Sequence, residues 1–239
     1  MGLFDKKFCD FCGEKIGMLG NRKLEDGNMC KNCFGLASPY LTGRKGFSVA
    51  EMKEHLAYRE ENKKTLASFS PTSTYGMGTK LHLDENQGLW LVSSSQNYKN
   101  ANPDILSTDQ VTGCLVSVDE SRTEIKFKSS DGTMKSYNPP KYDTDYDIYV
   151  TISINSPWFS EIKFKVNANQ IEEQKSPEYL SAEKAANEIK RALTQVHSKN
   201  RRDAVTAAKP KTSMVCPNCQ ATTIPDASGR CEYCGGAVR

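Results

Sequence analysis

Eight of the nine cysteines in this 239-residue chain fall into four Cys-x-x-Cys pairs: Cys9 with Cys12, Cys30 with Cys33, Cys216 with Cys219, and Cys231 with Cys234. A Cys-x-x-Cys turn points two sulfurs at one ion, and two such turns complete a thiolate tetrahedron around Zn²⁺ with bonds of about 2.3 Å. By position the pairs make two sets, with seventeen residues between the knuckles of the first and eleven between those of the second. Both spacings suit four-cysteine zinc sites. The expectation is therefore two Zn²⁺ per chain, one on Cys9, Cys12, Cys30 and Cys33 and one on Cys216, Cys219, Cys231 and Cys234. A redox dithiol is the rival chemistry, but it sits between a strand and a helix of an α/β unit and usually once per chain. Four thiolates leave the metal no open position for water or substrate, so both ions are expected to hold structure. No enzyme is expected. The three histidines, His55, His82 and His197, stand far along the chain from the cysteine sets, and neither a nucleophile elbow nor a phosphate loop occurs. The ninth cysteine, Cys114, lies in an apolar run and reads as a small core residue.

Mini-domains this small cannot fold on apolar burial alone, so the metal must stabilise them. Between them the sequence offers a β domain. A helical stretch from Ser48 to Leu66 gives way to the Ser-, Thr- and Gly-rich segment Ala67–Gly78, which reads as a linker. Apolar alternation then marks strands at about 80–84, 89–93, 111–118, 123–128, 133–137, 146–154 and 159–166. Asp84–Gly88 and Ser130–Gly132 supply hairpin chemistry. Ser176-Pro177 opens a helix with Ala182, Ala185, Ala186, Ile189, Leu193 and Val196 at helical spacing. Seven strands closed by one amphipathic helix is the order of a pleckstrin-homology-like barrel. The fold class expected is thus α+β, mostly β: a pleckstrin-homology-like antiparallel barrel with a C-terminal helix, flanked by two small four-cysteine zinc-binding mini-domains. The boundaries are 1–67 for the first finger and its helix, 68–79 for a linker and 80–198 for the β domain. A basic linker at 199–213 and a zinc ribbon at 214–239 follow.

The run Lys7–Cys33, with Cys9-Asp-Phe-Cys12-Gly13 and Cys30-Lys-Asn-Cys33, resembles an uncharacterised bacterial family that begins with such a four-cysteine finger. In that family a charged helix follows, here opened by Ser48-Val-Ala-Glu51, a capping-box pattern. The resemblance covers about the first 65 residues, with a looser likeness over Asp147–Lys165. It implies a fold but no activity. The tail from Cys216 to Gly236 is similar to the ribbons that bacteria append to many unrelated proteins.

The N-terminus turns charged at once and no run approaches about 18 apolar residues, so a cytoplasmic chain with reduced thiols is expected, with no peripheral membrane role. The formal net charge is only +3, which favours no class of partner. Asp143, Asp145 and Asp147 alternate as in a calcium loop, but Ile148 and Ile154 stand where that loop needs Gly and Glu, so they read as an acid-lined strand face. Between positions 68 and 170, twelve acidic residues face nine basic ones. Protein or peptide recognition is the expected role. The alternative is nucleic-acid binding through the ribbon and Lys199, Arg201, Arg202, Lys209 and Lys211 of the basic linker.

Overall fold

The computed structural model describes residues 7–17, 19–41, 46–207, 214–224 and 230–237, with backbone alone over 196–207. Two compact units divide the chain, Met1–His197 and Ser198–Arg239.

The first unit opens with an antiparallel pair, β1 (Asn21–Lys23) and β2 (Asn28–Cys30), and a single helical turn, α1 (Lys31–Phe34). Helix α2 (Val49–Ser68) begins where its capping residues dictate. Ser48 Oγ accepts from the Glu51 N–H at 3.2 Å while the Glu51 carboxylate accepts from the Ser48 N–H at 2.7 Å, which satisfies two orphan donors reciprocally. Asp26 accepts a third, the Val49 N–H at 2.7 Å, and so ties the finger's β1–β2 turn to the helix start. The buried residues of α2 are Met52, His55, Arg59, Asn62 and Leu66, three and four apart on one face.

The segment expected as a linker at 68–79 is instead structured. Phe69 is buried beside Leu66, Leu91 and Ile105, and Ser73–Gly76 forms β3 at the edge of a sheet. Its Ser and Thr content suits an edge strand, where one side of the backbone is left to solvent. That composition imitates a linker.

Strand β3 pairs with β4 (Lys80–Asp84), β4 with β5 (Leu89–Ser93), and β5, after the short α3 (Tyr98–Ala101), with β6 (Leu106–Ser107). A second antiparallel sheet joins β7 (Val111–Lys128), β8 (Met134–Ile154) and β9 (Glu161–Lys165) in sequence order. Helix α4 (Pro177–Ala207) follows. Meanders of four and three strands followed by a helix give the pleckstrin-homology-like order, mostly β, with both sheets open.

The core is the one the alternation marks. Ile148, Val150, Ile152 and Ile154 turn inward beside Ile162 and Phe164, meeting Leu81, Leu83 and Trp90 and the Ala182, Ala186, Ile189 and Leu193 stripe of α4. Each such Leu or Ile contributes about 1.5–3 kcal/mol by leaving water. Trp90 is fully buried and its indole N–H donates to the Ser107 carbonyl at 3.2 Å.

Three differences from the sequence expectation stand out. The strands foreseen at 111–118 and 123–128 are one strand, as are those at 133–137 and 146–154, because backbone pairing continues through polar residues that show no apolar alternation, with one register shift where residues 137–140 of β8 are left out of the ladder. The count of seven is completed by β3 and β6. Helix α4 also runs nine residues past the expected end of the β domain at 198, through Ala207, because Pro210 is the first breaker after Pro177 and the Arg, Lys and Ala in between favour helix. The rest of the supposed basic linker, 208–213, lies outside the described residues.

The second unit holds a short pair, β10 (Met214–Val215) with β11 (Thr222–Thr223), beside the last two Cys-x-x-Cys turns.

Candidate metal centres

Three of the four cysteine turns are the same backbone device. The leading cysteine donates its N–H to the carbonyl five residues on, and the residue after the second cysteine donates back to the leading carbonyl. These bonds run Cys9 to Glu14 and Gly13 to Cys9, Cys216 to Ala221 and Gln220 to Cys216, and Cys231 to Gly236 and Gly235 to Cys231, all between 2.8 and 2.9 Å. The closing residue must adopt positive φ: Gly13 at 74°, Gly235 at 70° and Gln220 at 60°. Glycine does this without steric cost, whereas Gln220 is held there against its preference. The fourth turn is built on a helix instead. Cys30 caps α1, its sulfur accepting from the Cys33 N–H at 3.4 Å. The first knuckle is pinned against β2 by paired bonds between Asp10 and Asn28, at 2.6 Å to the carboxylate and 3.0 Å between backbones.

These turns bring the eight predicted ligands together in two groups, Cys9, Cys12, Cys30 and Cys33, and Cys216, Cys219, Cys231 and Cys234, with the sulfurs of each group within 4.8 Å of one another. Sulfur separations of 3.8 Å for Cys12 and Cys30, 3.6 Å for Cys216 and Cys234 and 3.7 Å for Cys219 and Cys231 leave no disulfide. They match the edge of a zinc–thiolate tetrahedron, about 3.8 Å when each Zn–S bond is about 2.3 Å. Each group could hold one metal ion, consistent with two Zn²⁺ per chain.

The acid–base behaviour of the thiols also fits a dication. Burial raises Cys9, but the N–H groups of Cys30, Cys12 and Phe11 outweigh it and bring the thiol down to about 6. Burial and the neighbouring sulfurs push Cys33 up. In the second group burial of Cys231 is outweighed by the N–H groups of Cys234 and Tyr233, bringing it to about 6. For Cys219 the Ala221 N–H lowers the pKa, but Cys234, desolvation and the other sulfurs drive it up to about 12. Packed thiols cannot all ionise without a cation among them, and Zn²⁺ supplies that charge. One outer contact appears as well: Asn218 donates to the Cys234 sulfur at 3.6 Å. With four protein ligands the coordination shell of a bound ion would be closed.

The remaining candidates sit elsewhere. His82 bonds Thr74 at 3.1 Å, and His55 lies on the buried face of α2. Cys114 is half-buried against the core, and burial pushes its thiol up to about 11, which fits an unreactive packing residue. What sequence reasoning missed is a buried polar network holding the finger to the β domain. His55 Nε2 accepts from the Ser38 N–H at 3.0 Å, Ser38 Oγ donates to Asp104 at 2.8 Å, and Arg59 meets the same carboxylate at 2.6 Å. Arg59 also donates to the carbonyls of Leu36 and Asn102. Trp158 completes the contact: it packs on both the finger core and the β core, with its ring 4.8 Å from that of His55.

Fold and site together define a modular metal-binding protein, an open-sheet β domain carrying a four-cysteine centre on its N-terminal side, with a second four-cysteine centre in the unit at residues 198–239. Residues 7–55, the first centre and the opening turns of α2, match the family model described as a domain of unknown function, DUF4428. No curated protein and no solved structure matches the chain. No helix among the described residues is long and apolar enough to cross a membrane.

Proposed function

We propose that this is a non-catalytic zinc-binding adaptor of the bacterial cytoplasm, recognising another protein or peptide through its β domain and zinc modules. The observation that carries this reading is the unpaired edge of β7. Among the described residues the strand, eighteen residues long, pairs with β8 alone, and Leu115 on it is 61% exposed. An open edge of that length is a template on which an extended peptide can add a strand, with main-chain bonds for affinity and alternate side chains for specificity. The closed thiolate shells support a structural role for the metal, leaving recognition as the work of surfaces.

A photo-crosslinking residue in place of Leu115, introduced in the native cells, tests the reading. One protein captured at Leu115 and not at an exposed site on α4 such as Leu180 is the expected result. Capture of nothing specific at Leu115 would end it.

A nucleic-acid role is the second reading, and one observation favours it. Tyr233, between two ligands of the second centre, is 67% exposed and can offer a stacking face. Anisotropy titration of a labelled single-stranded oligonucleotide at low salt decides the matter. Binding should weaken steeply with salt and with Tyr233→Ala, and no binding at low salt excludes this role.

A further inference from the structure

The hairpin of β7 and β8 extends well past the body of its sheet. Strand β9 pairs β8 only over Tyr149–Ser153, and the segment after it bonds β8 at Ile148 and Tyr146, so the arm is flanked at its base and, among the described residues, the two strands stand alone only from Arg122 and Thr144 outward. Ten residues of β7, Asp119–Lys128, give this arm a length of about 33 Å. On the core side of its base, Tyr146 packs edge-on against Tyr179 of α4. The opposite face is exposed except at half-buried Asp145 and Asp147, and its side chains follow from the register, since residues directly opposite in an antiparallel ladder share a face; residues 137–140 of β8 interrupt that register between the Ile125–Lys141 and Lys126–Ser136 pairs.

Charge on that outer face is segregated by position. Near the body stand Asp119 opposite Asp147, Ser121 opposite Asp145, and Thr123 opposite Asp143. The innermost acids are balanced by β9, Asp119 by Lys163 at 3.5 Å and Asp147 by Lys165, and Asp145 accepts the Ile171 N–H at 3.1 Å. Farther out the face changes character. Ile125 lies opposite Lys141, and Phe127 opposite Lys135. The Phe127 ring is 4.9 Å from Tyr137, over which the Lys141 ammonium lies at 4.6 Å. Ile125 is 42% and Phe127 39% exposed. Around the tip Asp131 bonds Lys135 at 2.8 Å and Glu124 lies 3.9 Å from Lys126, so the four lysines Lys126, Lys128, Lys135 and Lys141 outnumber these acids by two.

A strip that is acidic at one end and basic and aromatic at the other is self-complementary under a two-fold axis. We infer that the outer face of the β7–β8 arm docks on the same face of a second copy of this chain, antiparallel, each tip lying over the other's base. An isologous contact requires that a surface match its own rotated image, and the charge order of this face does so about a midpoint near Thr123 and Ile125. In that pairing Lys135 and Lys141 of one copy approach Asp145 and Asp143 of the other, while Ile125 lies over Thr123. The ribbon's width and length limit the contact to the small end of specific interfaces, about 1,000 Å² in total, so the dimer is a reversible one. A nucleic acid or an anionic membrane would favour the tip but be repelled by the acidic base next to it.

The test uses the full zinc-loaded chain and sedimentation equilibrium. The wild type should pass from monomer to dimer between about 1 μM and 1 mM, and less readily as salt rises. Lys135→Glu with Lys141→Glu makes the whole face acidic, and Ser121→Lys with Asp143→Lys makes its base basic. All four residues are exposed. Each double variant alone should associate at least about tenfold more weakly than the wild type. Mixed in equal amounts, the two should form a heterodimer, because every tip then meets a base of opposite charge. That restoration also shows both variants are folded. A wild type that stays monomeric throughout, a dimer untouched by either variant, or a mixture that fails to associate would each overturn the inference.

Discussion

At the scale of single residues, the metal ligands and the residues that brace them differ in how they announce themselves. Ligand identity and spacing are local properties, so Cys9, Cys12, Cys30, Cys33, Cys216, Cys219, Cys231 and Cys234 were legible before any fold was known. Glycine is the residue type that suits the closing position, as at Gly13 and Gly235, whereas the positive φ of Gln220 is imposed by the knuckle and nothing in its type suggests it. His55 was invisible as a structural residue. Burial and the nearby Arg59 depress its pKa to about 4, so in the folded protein it stays neutral and accepts the Ser38 N–H. The unfolded chain, with an ordinary histidine near 6.5, binds the proton first as pH falls. Stability linked to His55 is therefore complete above about pH 6.5 and is lost progressively between there and pH 4, by up to about 3 kcal/mol. Urea unfolding of wild type and His55→Gln across that window should show the wild type losing more stability on acidification. Parallel pH profiles would show that His55 is not the group responsible.

At the scale of elements, α2 explains why a helix can be foreseen while its role is not. Its start followed from Ser48 and Glu51, but its buried face reads Met52, His55, Arg59, Asn62 and Leu66, polar at its centre, so no apolar periodicity reveals which side is covered. The covering partner is the loop around Asp104, which satisfies Arg59 while Asn62 bonds the Ile105 N–H and the Pro103 carbonyl. The same reason hid the β7–β8 arm, whose polar stretches broke the alternation while the backbone ladder ran on. Arg59 and Asp104 are both almost fully buried, at 5% and 0% side-chain exposure. Removing one charge strands the other out of water, so Arg59→Met should destabilise the first unit by about 3–5 kcal/mol. Adding Asp104→Asn to that variant removes the stranded charge and should recover a large part of the loss. A denaturant midpoint for Arg59→Met within error of the wild type would mean the pair carries no stability.

At the scale of the whole molecule, the N-terminal centre is not an appendage of the β domain. Cys9 and Cys30 belong to a core with Met29, Leu41 and Met52, and Trp158, from the turn between β8 and β9, packs on that core and on the β core alike. The sequence reading of a finger on a linker could not include this, because the residue that joins them lies more than a hundred positions away. The chain's two tryptophans make the coupling measurable. Trp90 sits at the centre of the β core, Trp158 at the contact with the finger, and the second unit contains none. Structural Zn²⁺ in small modules contributes about 10–16 kcal/mol of apparent binding energy at neutral pH, so losing one ligand should release the ion and unfold its module. Elemental analysis should give two zinc ions in the wild type and one each in Cys12→Ser and Cys219→Ser. In Cys12→Ser the emission of Trp158 should shift to the red as its finger contact opens, while Trp90 stays buried because Leu81, Val150, Ile152 and α4 hold it independently of the metal. In Cys219→Ser the unfolding module has no tryptophan signal of its own. A Cys12→Ser protein with one zinc and unchanged emission would show that the finger and the β domain do not share a core.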